Sequence, residues 1–127
     1  MTIAEVSKKY DISADTLRYY ERIGLIPPVH RTSGGIRDYT EDDCNWVGFA
    51  KCMRSAGLTI EALIEYVSLC QQEGDTYAAR RDLLTEQRRQ LAERIEEMQD
   101  TLSRLDHKIE WYDKTCGGKC CKKDEKK

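Results

Sequence analysis

The sequence predicts a mainly α protein, a small head of short helices followed by one long helix. Three observations carry this. Thr2, Ser13, Thr40 and Thr59 each stand just before a run whose apolar residues recur at three- and four-residue spacing. Gly24 and Gly57 stand where two of those runs stop. From about Thr76 the pattern changes, and from Leu91 onward the large apolar residues fall in alternating four- and three-residue steps within a strongly charged background.

Composition sets the limits. The 127 residues have room for one modest core, or for a small domain with an appendage. Charged residues make up 35% and there is a single Phe, so large buried surface is scarce. The net charge is −2 and unevenly spread. Residues 1–58 carry eight basic and eight acidic side chains, residues 59–115 eight against thirteen, and the last twelve five against two. Any nucleic-acid footprint therefore depends on local placement of Arg and Lys, not on a bulk field. No apolar run approaches the ~20 residues of a membrane span, and the amino end does not resemble a signal peptide. Six cysteines in such a chain are expected to stay reduced, as core fillers, metal ligands or redox sensors. The expected location is the cytoplasm. His30 and His107 lie in unrelated regions and no nucleophile–base–orienter set is visible, so an enzyme is not expected.

Along the chain, Thr2 and Glu5 make a capping box for a first helix with Ile3, Val6 and Tyr10 at helical spacing. Asp11-Ile12 is a brief turn, and Ser13 caps a second helix running to about Ile23, stopped by Gly24. Two short helices joined by a tight turn suggest helix-turn-helix. The second helix concentrates Arg18, Tyr19, Tyr20 and Arg22, a density of donors that a core helix has no use for and a helix lying against a phosphate backbone does. After Pro27-Pro28, the Gly34-Gly35 pair between extendable residues reads as a β-hairpin or as a plain surface loop. Thr40 and Asp43 cap a third helix with Trp46, Val47, Ala50 and Met53 facing inward. Thr59 caps a fourth containing Ile60, Leu63, Ile64 and Val67, broken at residues 71–75.

The long helix follows. Leu84, Leu91, Ile95, Met98, Leu102, Leu105, Ile109 and Tyr112 form its apolar stripe, flanked almost entirely by Arg, Glu, Gln and Asp. From Leu84 to Tyr112 the stripe spans roughly 42 Å at ~1.5 Å per residue, more than the small head can cover. A second copy of the same helix can cover it.

The stretch TLRYYERIGLIPP (residues 16–28), the wing-like RTSGGIRDY (residues 31–39) and the long carboxy-terminal helix together resemble the MerR family of bacterial transcription regulators. The resemblance covers Thr2 to about Tyr112. It implies a winged helix-turn-helix DNA-binding domain over residues 1–73, a dimerisation helix over 74–114 pairing as an antiparallel coiled coil, and a flexible Cys/Lys-rich tail over 115–127. The implied partners are a double-stranded, pseudo-palindromic promoter operator, a second copy of the chain, and RNA polymerase at the promoter. Family members bind between promoter elements spaced too far apart and distort the DNA when a signal is sensed. Arg18 and Tyr19 match the family's groove and phosphate contacts, and Arg31 and Arg37 its wing contacts to the backbone. Tyr39 sits where the wing joins the third helix and is grouped with them. Tyr20 points about 100° away from Tyr19 and reads as core. Arg22 is open between DNA and an ion pair with Glu21 or Asp15.

Two sensors suggest themselves. Residues 51–66 resemble a subgroup of the family responsive to aldehydes and thiol-reactive electrophiles, which carries a lone cysteine at the place matched by Cys52. Cys52 shares a face of the third helix with Asn45, Gly48 and Ala56, and the neighbouring Lys51 and Arg54 favour a thiolate. In that reading there is no cofactor. The alternative sensor is the tail, where Cys116, Cys120 and Cys121 offer three thiolates for Cu(I) or Zn(II). That spacing is not the usual loop of the family's metal sensors, and Thr76 and Tyr77 stand where divalent-metal sensors often place a cysteine. A coiled-coil adaptor whose head binds protein is the further alternative.

Overall fold

The computed structural model describes residues 1–116, and among them the chain forms five helices. These are α1 (Ile3–Tyr10), α2 (Ala14–Ile23), α3 (Glu41–Ser55), α4 (Ile60–Gln71) and α5 (Tyr77–Cys116). Packing divides the described residues into two units, Met1–Leu91 and the residues from Ala92 onward.

The first four helices start where a side-chain oxygen receives an otherwise orphaned amide. Thr2 and Thr40 form complete capping boxes with Glu5 and Asp43, whose carboxylates accept from the cap amides. Ser13 and Thr59 accept from the Thr16 and Ala62 amides. The ends are also local chemistry. α1 stops at Asp11, whose φ of 56° is a left-handed conformation that Asp tolerates better than most residues. α2 stops at Gly24 with φ 86°, where any Cβ would be strained.

These caps point the apolar faces at one another. Val6 of α1, Leu17 of α2, Val47 and Ala50 of α3 and Leu63 of α4 are each at most 2% exposed. Leu25, Ile26 and Val29, from the segment after α2, join the same core. Each fully buried Val or Leu contributes about 1.5–3 kcal/mol of transfer free energy. Trp46 and Met53 are half-buried at the margin of this core, as is Tyr20. Cys44 is inside it, its sulfur 3.7 Å from that of Met1.

The Gly34-Gly35 segment is a minimal hairpin, so the wing alternative holds over the plain loop. The Thr32 amide donates to the Ile36 carbonyl at 2.8 Å, the Gly35 amide to the Thr32 carbonyl at 2.9 Å, and Asp38 to His30 at 2.8 Å. Arg31 and Arg37 form an antiparallel bridge across it. Gly35, at φ 85°, closes a three-residue turn in the left-handed conformation that this loop length demands.

In the second unit, Ile95, Met98, Leu102, Leu105 and Ile109 of α5 are 48–72% exposed along the stripe that the heptad spacing predicts.

Leu17 has no exposed surface and sits where α1, α2 and α3 converge, so Leu17→Ala should lower head stability by about 3 kcal/mol. Urea unfolding followed by tryptophan fluorescence measures it. A midpoint equal to that of the parent protein would contradict this picture of the core.

Candidate nucleic-acid interface

Helix α2 separates its residues cleanly. Asp15, Arg18, Tyr19 and Arg22 are exposed and stand at i, i+3, i+4 and i+7, one outer face of a helix. Leu17 is buried, and Tyr20 and Ile23 pack against the core on the opposite side. The outer face is internally paired. The Arg18 Nη1 donates to Asp15 Oδ1 at 2.8 Å, and the Arg22 guanidinium lies over the Tyr19 ring at 5.2 Å. Arg22 therefore pairs with neither Glu21 nor Asp15 in an ion pair. Both acids are engaged by other arginines.

The wing is held against α2 by one carboxylate. Glu21 Oε1 accepts from Arg37 Nε at 2.7 Å and has the Arg31 guanidinium at 3.7 Å, while its Oε2 accepts the Val29 amide at 3.0 Å. Burial pushes the Glu21 carboxyl up. The bonds from Arg37 and Val29 and the charges of Arg37 and Arg31 outweigh it and hold the group below its ordinary 4.5. A second carboxylate ties the wing to α3. Asp43 Oδ2 accepts both the Thr40 amide at 3.0 Å and the His30 amide at 3.1 Å. Arg31 Nη1 also donates to the Gly35 carbonyl at 3.1 Å, which fixes it along the hairpin. Arg18, Tyr19 and Arg31 are thus exposed, and Arg37 is half-buried with its guanidinium on Glu21.

Tyr39 is placed differently from the other four. It is 2% exposed, packed in the head core at the root of the wing, and its amide donates to the Met1 carbonyl at 2.7 Å. Its hydroxyl has no hydrogen-bond partner among the described residues. Burial pushes its phenol up, with the Glu21 and Asp43 charges acting in the same direction and Arg37 and Arg18 against it. The structure gives this side chain no outer surface.

Of Cys44, Cys52 and Cys70, the first is buried, the last half-buried, and Cys52 exposed. The small-residue face of α3 is partly occupied by α1. A Cβ on Gly48 would come within 3.3 Å of the Tyr10 ring, and Lys51 Nζ donates to the Tyr10 carbonyl. Arg54 Nη1 donates to the Leu58 carbonyl at 2.6 Å. Both cations flanking Cys52 are thus tied to backbone, one to α1 and one across the turn into α4. Cys116 closes α5, but its side chain, Cys120 and Cys121 lie outside the described residues. Among those residues no cluster of three or more His, Cys, Asp or Glu is arranged to hold a metal.

Glu21 and Asp43 are the positions that sequence reasoning undervalued. Glu21 figured as a surface partner for Arg22, and Asp43 as a cap alone. A carboxylate amid four donors of a groove-facing helix was the available signal for the first.

Two helices at a tight turn, an exposed Arg/Tyr face and an arginine-bearing wing define a helix-turn-helix DNA-binding transcription regulator. Residues 1–70 match the model of the MerR HTH family regulatory protein, and residues 45–108 that of the MerR DNA-binding region. The chain belongs to the MerR family. It is 55% identical to the HTH-type transcriptional regulator AdhR of Bacillus subtilis over 73% of this chain and 66% of that one. The crystal structure of a MerR family transcriptional regulator from Listeria monocytogenes superposes with a TM-score of 0.89 at 50% identity, covering 91% of this chain and 88% of that one. HiNmlR, a MerR family regulator lacking the sensor domain and crystallised on promoter DNA, matches with a TM-score of 0.80 at 29% identity, over 92% and 93% of the two chains.

The Glu21 clamp makes the head acid-sensitive. Its folded-state carboxyl is lowered, so the clamp contributes fully above the ordinary value of 4.5 and is lost as pH falls through the lowered one. Thermal unfolding at pH 7 and at about pH 3.5 should show a larger drop for the parent protein than for Glu21→Gln, which has nothing to protonate there. Equal drops would contradict the assignment.

Proposed function

We propose that the protein is a homodimeric regulator that binds a pseudo-palindromic promoter operator and answers an aldehyde or other thiol-reactive electrophile through Cys52. Each head, residues 1–73, docks α2 in a major groove and the wing on the flanking backbone. Arg18 and Tyr19 make the groove and phosphate contacts. Arg31 and Arg37 take phosphates from the wing, and Tyr39 supports them from beneath by filling the wing root. Residues 74–114 pair two copies, which sets the half-site spacing, and 115–127 trail as a tail. The bound dimer acts with RNA polymerase in the cytoplasm, where the promoter is. Among the described residues no helix is long and apolar enough to cross a membrane.

The observation that carries the sensing proposal is the exposure of Cys52 one turn before the α3–α4 turn, while Cys44 is buried and Cys70 half-buried. Support also comes from the resemblance of residues 51–66 to the electrophile-responsive subgroup. The chain also matches a family regulator that lacks the sensor domain, over 93% of that regulator's length. Addition of the thiol across an aldehyde carbonyl forms an S–C bond, the oxygen takes the proton, and a hemithioacetal results. The added bulk falls beside the Ala56 amide, which donates to the Cys52 carbonyl at 3.1 Å, and the Arg54–Leu58 clamp. A small displacement there can rotate the DNA-binding elements relative to α4.

Arg18→Ala should weaken operator binding while leaving the dimer intact. Arg37→Ala should weaken binding to all sequences and lower the salt slope by about one unit. Gel shifts across a salt series measure both, and parent affinity in Arg18→Ala would defeat the docking.

Cys52→Ala should abolish activation by an aldehyde yet keep operator binding, and deletion of residues 116–127 should leave the response largely intact. Promoter–reporter assays in cells decide this. A response that survives Cys52→Ala and disappears with the tail would overturn the electrophile reading in favour of the Cu(I) or Zn(II) one.

A further inference from the structure

The family resemblance implies that two copies of α5 run antiparallel, but the exposed stripe leaves their register open, and its charges answer that. Continuing the seven-residue repeat back from Ile95 puts Arg88 and Arg81 in the seam itself. In a parallel pair each arginine would face its own copy, like charge against like. In an antiparallel pair both face the other half of the helix, and that half is acidic. Residues 77–94 carry five basic and three acidic side chains, and residues 95–116 carry three basic and six acidic.

Within the antiparallel pair that the resemblance implies, we propose that the two α5 helices centre between Glu96 and Glu97, with Arg88 bound to the partner's Asp106 and Arg81 to the partner's Asp113. The inference rests on the dimer reading above and adds its register. This centre is the midpoint of Tyr77–Cys116, so the helices overlap over their described length. Ile95 then lies level with the partner's Met98, Leu91 with the partner's Leu102, and Leu84 with the partner's Ile109.

Arg88 falls level with the partner's Leu105, and Arg81 with the partner's Tyr112. The residue following each of those lies on the same flank of an antiparallel pair as the arginine, about 1.5 Å out of level. Those residues are the partner's Asp106 and the partner's Asp113. Each arginine stem covers apolar surface while its guanidinium reaches a carboxylate. Arg81, Arg88, Asp106 and Asp113 are all exposed in the single chain. Sliding the pair one heptad breaks the match. One direction sets Arg88 beside the partner's Gln99, and the other moves Arg81 off the partner's Asp113 and past the described residues.

A second feature agrees. A notch of about 150 Å³ lies among Met53, Leu58, Leu84, Arg88 and Leu91, so it shares three residues with the seam. In this register the partner's Leu102, the partner's Leu105 and the partner's Ile109 lie over it.

The test is charge reversal in the full-length protein, with dimer dissociation followed by sedimentation at low salt and helicity checked by circular dichroism. Arg81→Glu with Arg88→Glu should weaken the dimer roughly tenfold or more, since four contacts per dimer turn repulsive. Asp106→Arg with Asp113→Arg should do the same. Combining all four substitutions should restore the parent dissociation constant to within about threefold. A stable dimer indifferent to either two-site change, or a four-site chain no tighter than the two-site ones, overturns the register and leaves dimerisation standing. A parent protein that sediments as a monomer overturns the dimer reading itself.

Discussion

The Glu21 carboxylate joins three pieces of backbone that the chain makes separately. One oxygen takes the Arg37 guanidinium and the other the amide of Val29, so α2, the segment that follows it and the returning arm of the wing are fixed to one point. A charged acceptor with charged and amide donors forms bonds roughly twice as strong as neutral ones, and near-burial keeps water from replacing them. The spacing between the outer face of α2 and the wing arginines follows from that point. Asp43 repeats the device on the α3 side, holding His30 and Thr40 with a single oxygen. The wing is a minimal hairpin because its position is set by its roots, not by a sheet.

Much of the head was legible in the sequence because its helix boundaries are encoded within four residues of themselves. Thr2 with Glu5, Thr40 with Asp43, Ser13 and Thr59 act on amides in their own first turns, and Gly24 needs only its own φ. What was not legible depends on contacts far apart in the chain. Leu25, Ile26 and Val29 have no helical periodicity to advertise their burial, and Cys44 is covered by Met1 and the wing root. Tyr39 looks in sequence like its neighbour Arg37, a polar group at the end of a wing. It is core because the wing folds back over it. The exposed face of α2 was readable from donors alone, but the pairing of Arg18 with Asp15, rather than Arg22 with either acid, is a matter of rotamers.

Ordinary packing links the surroundings of Cys52, the sensor proposed above, to the long helix. Arg54 closes the α3–α4 turn on the Leu58 carbonyl, and Leu58 with Met53 lines the same notch as Leu84 and Leu91 of α5. A change at the end of α3 therefore has a route to the long helix through side chains that line one notch. Lys51 anchors the other side of that helix to the end of α1. The cysteine sits on a helix end restrained from two directions, so added bulk has few ways to be absorbed locally.

The outer face of α2 carries its own acid. Asp15 is 2.8 Å from Arg18, and Arg31 and Arg37 share Glu21, so in the docking proposed above each of these cations would meet a phosphate already partly neutralised. On random duplex, where backbone charge is nearly all there is to gain, that internal neutralisation weakens binding. At a cognate site, base-edge contacts add to the backbone term. A chromosome offers a very large excess of wrong sites, and a regulator with bare arginines would be spread thinly over them. In that docking the acids would keep more of the molecules off the bulk of the chromosome, so that a small number of copies could fill its promoters.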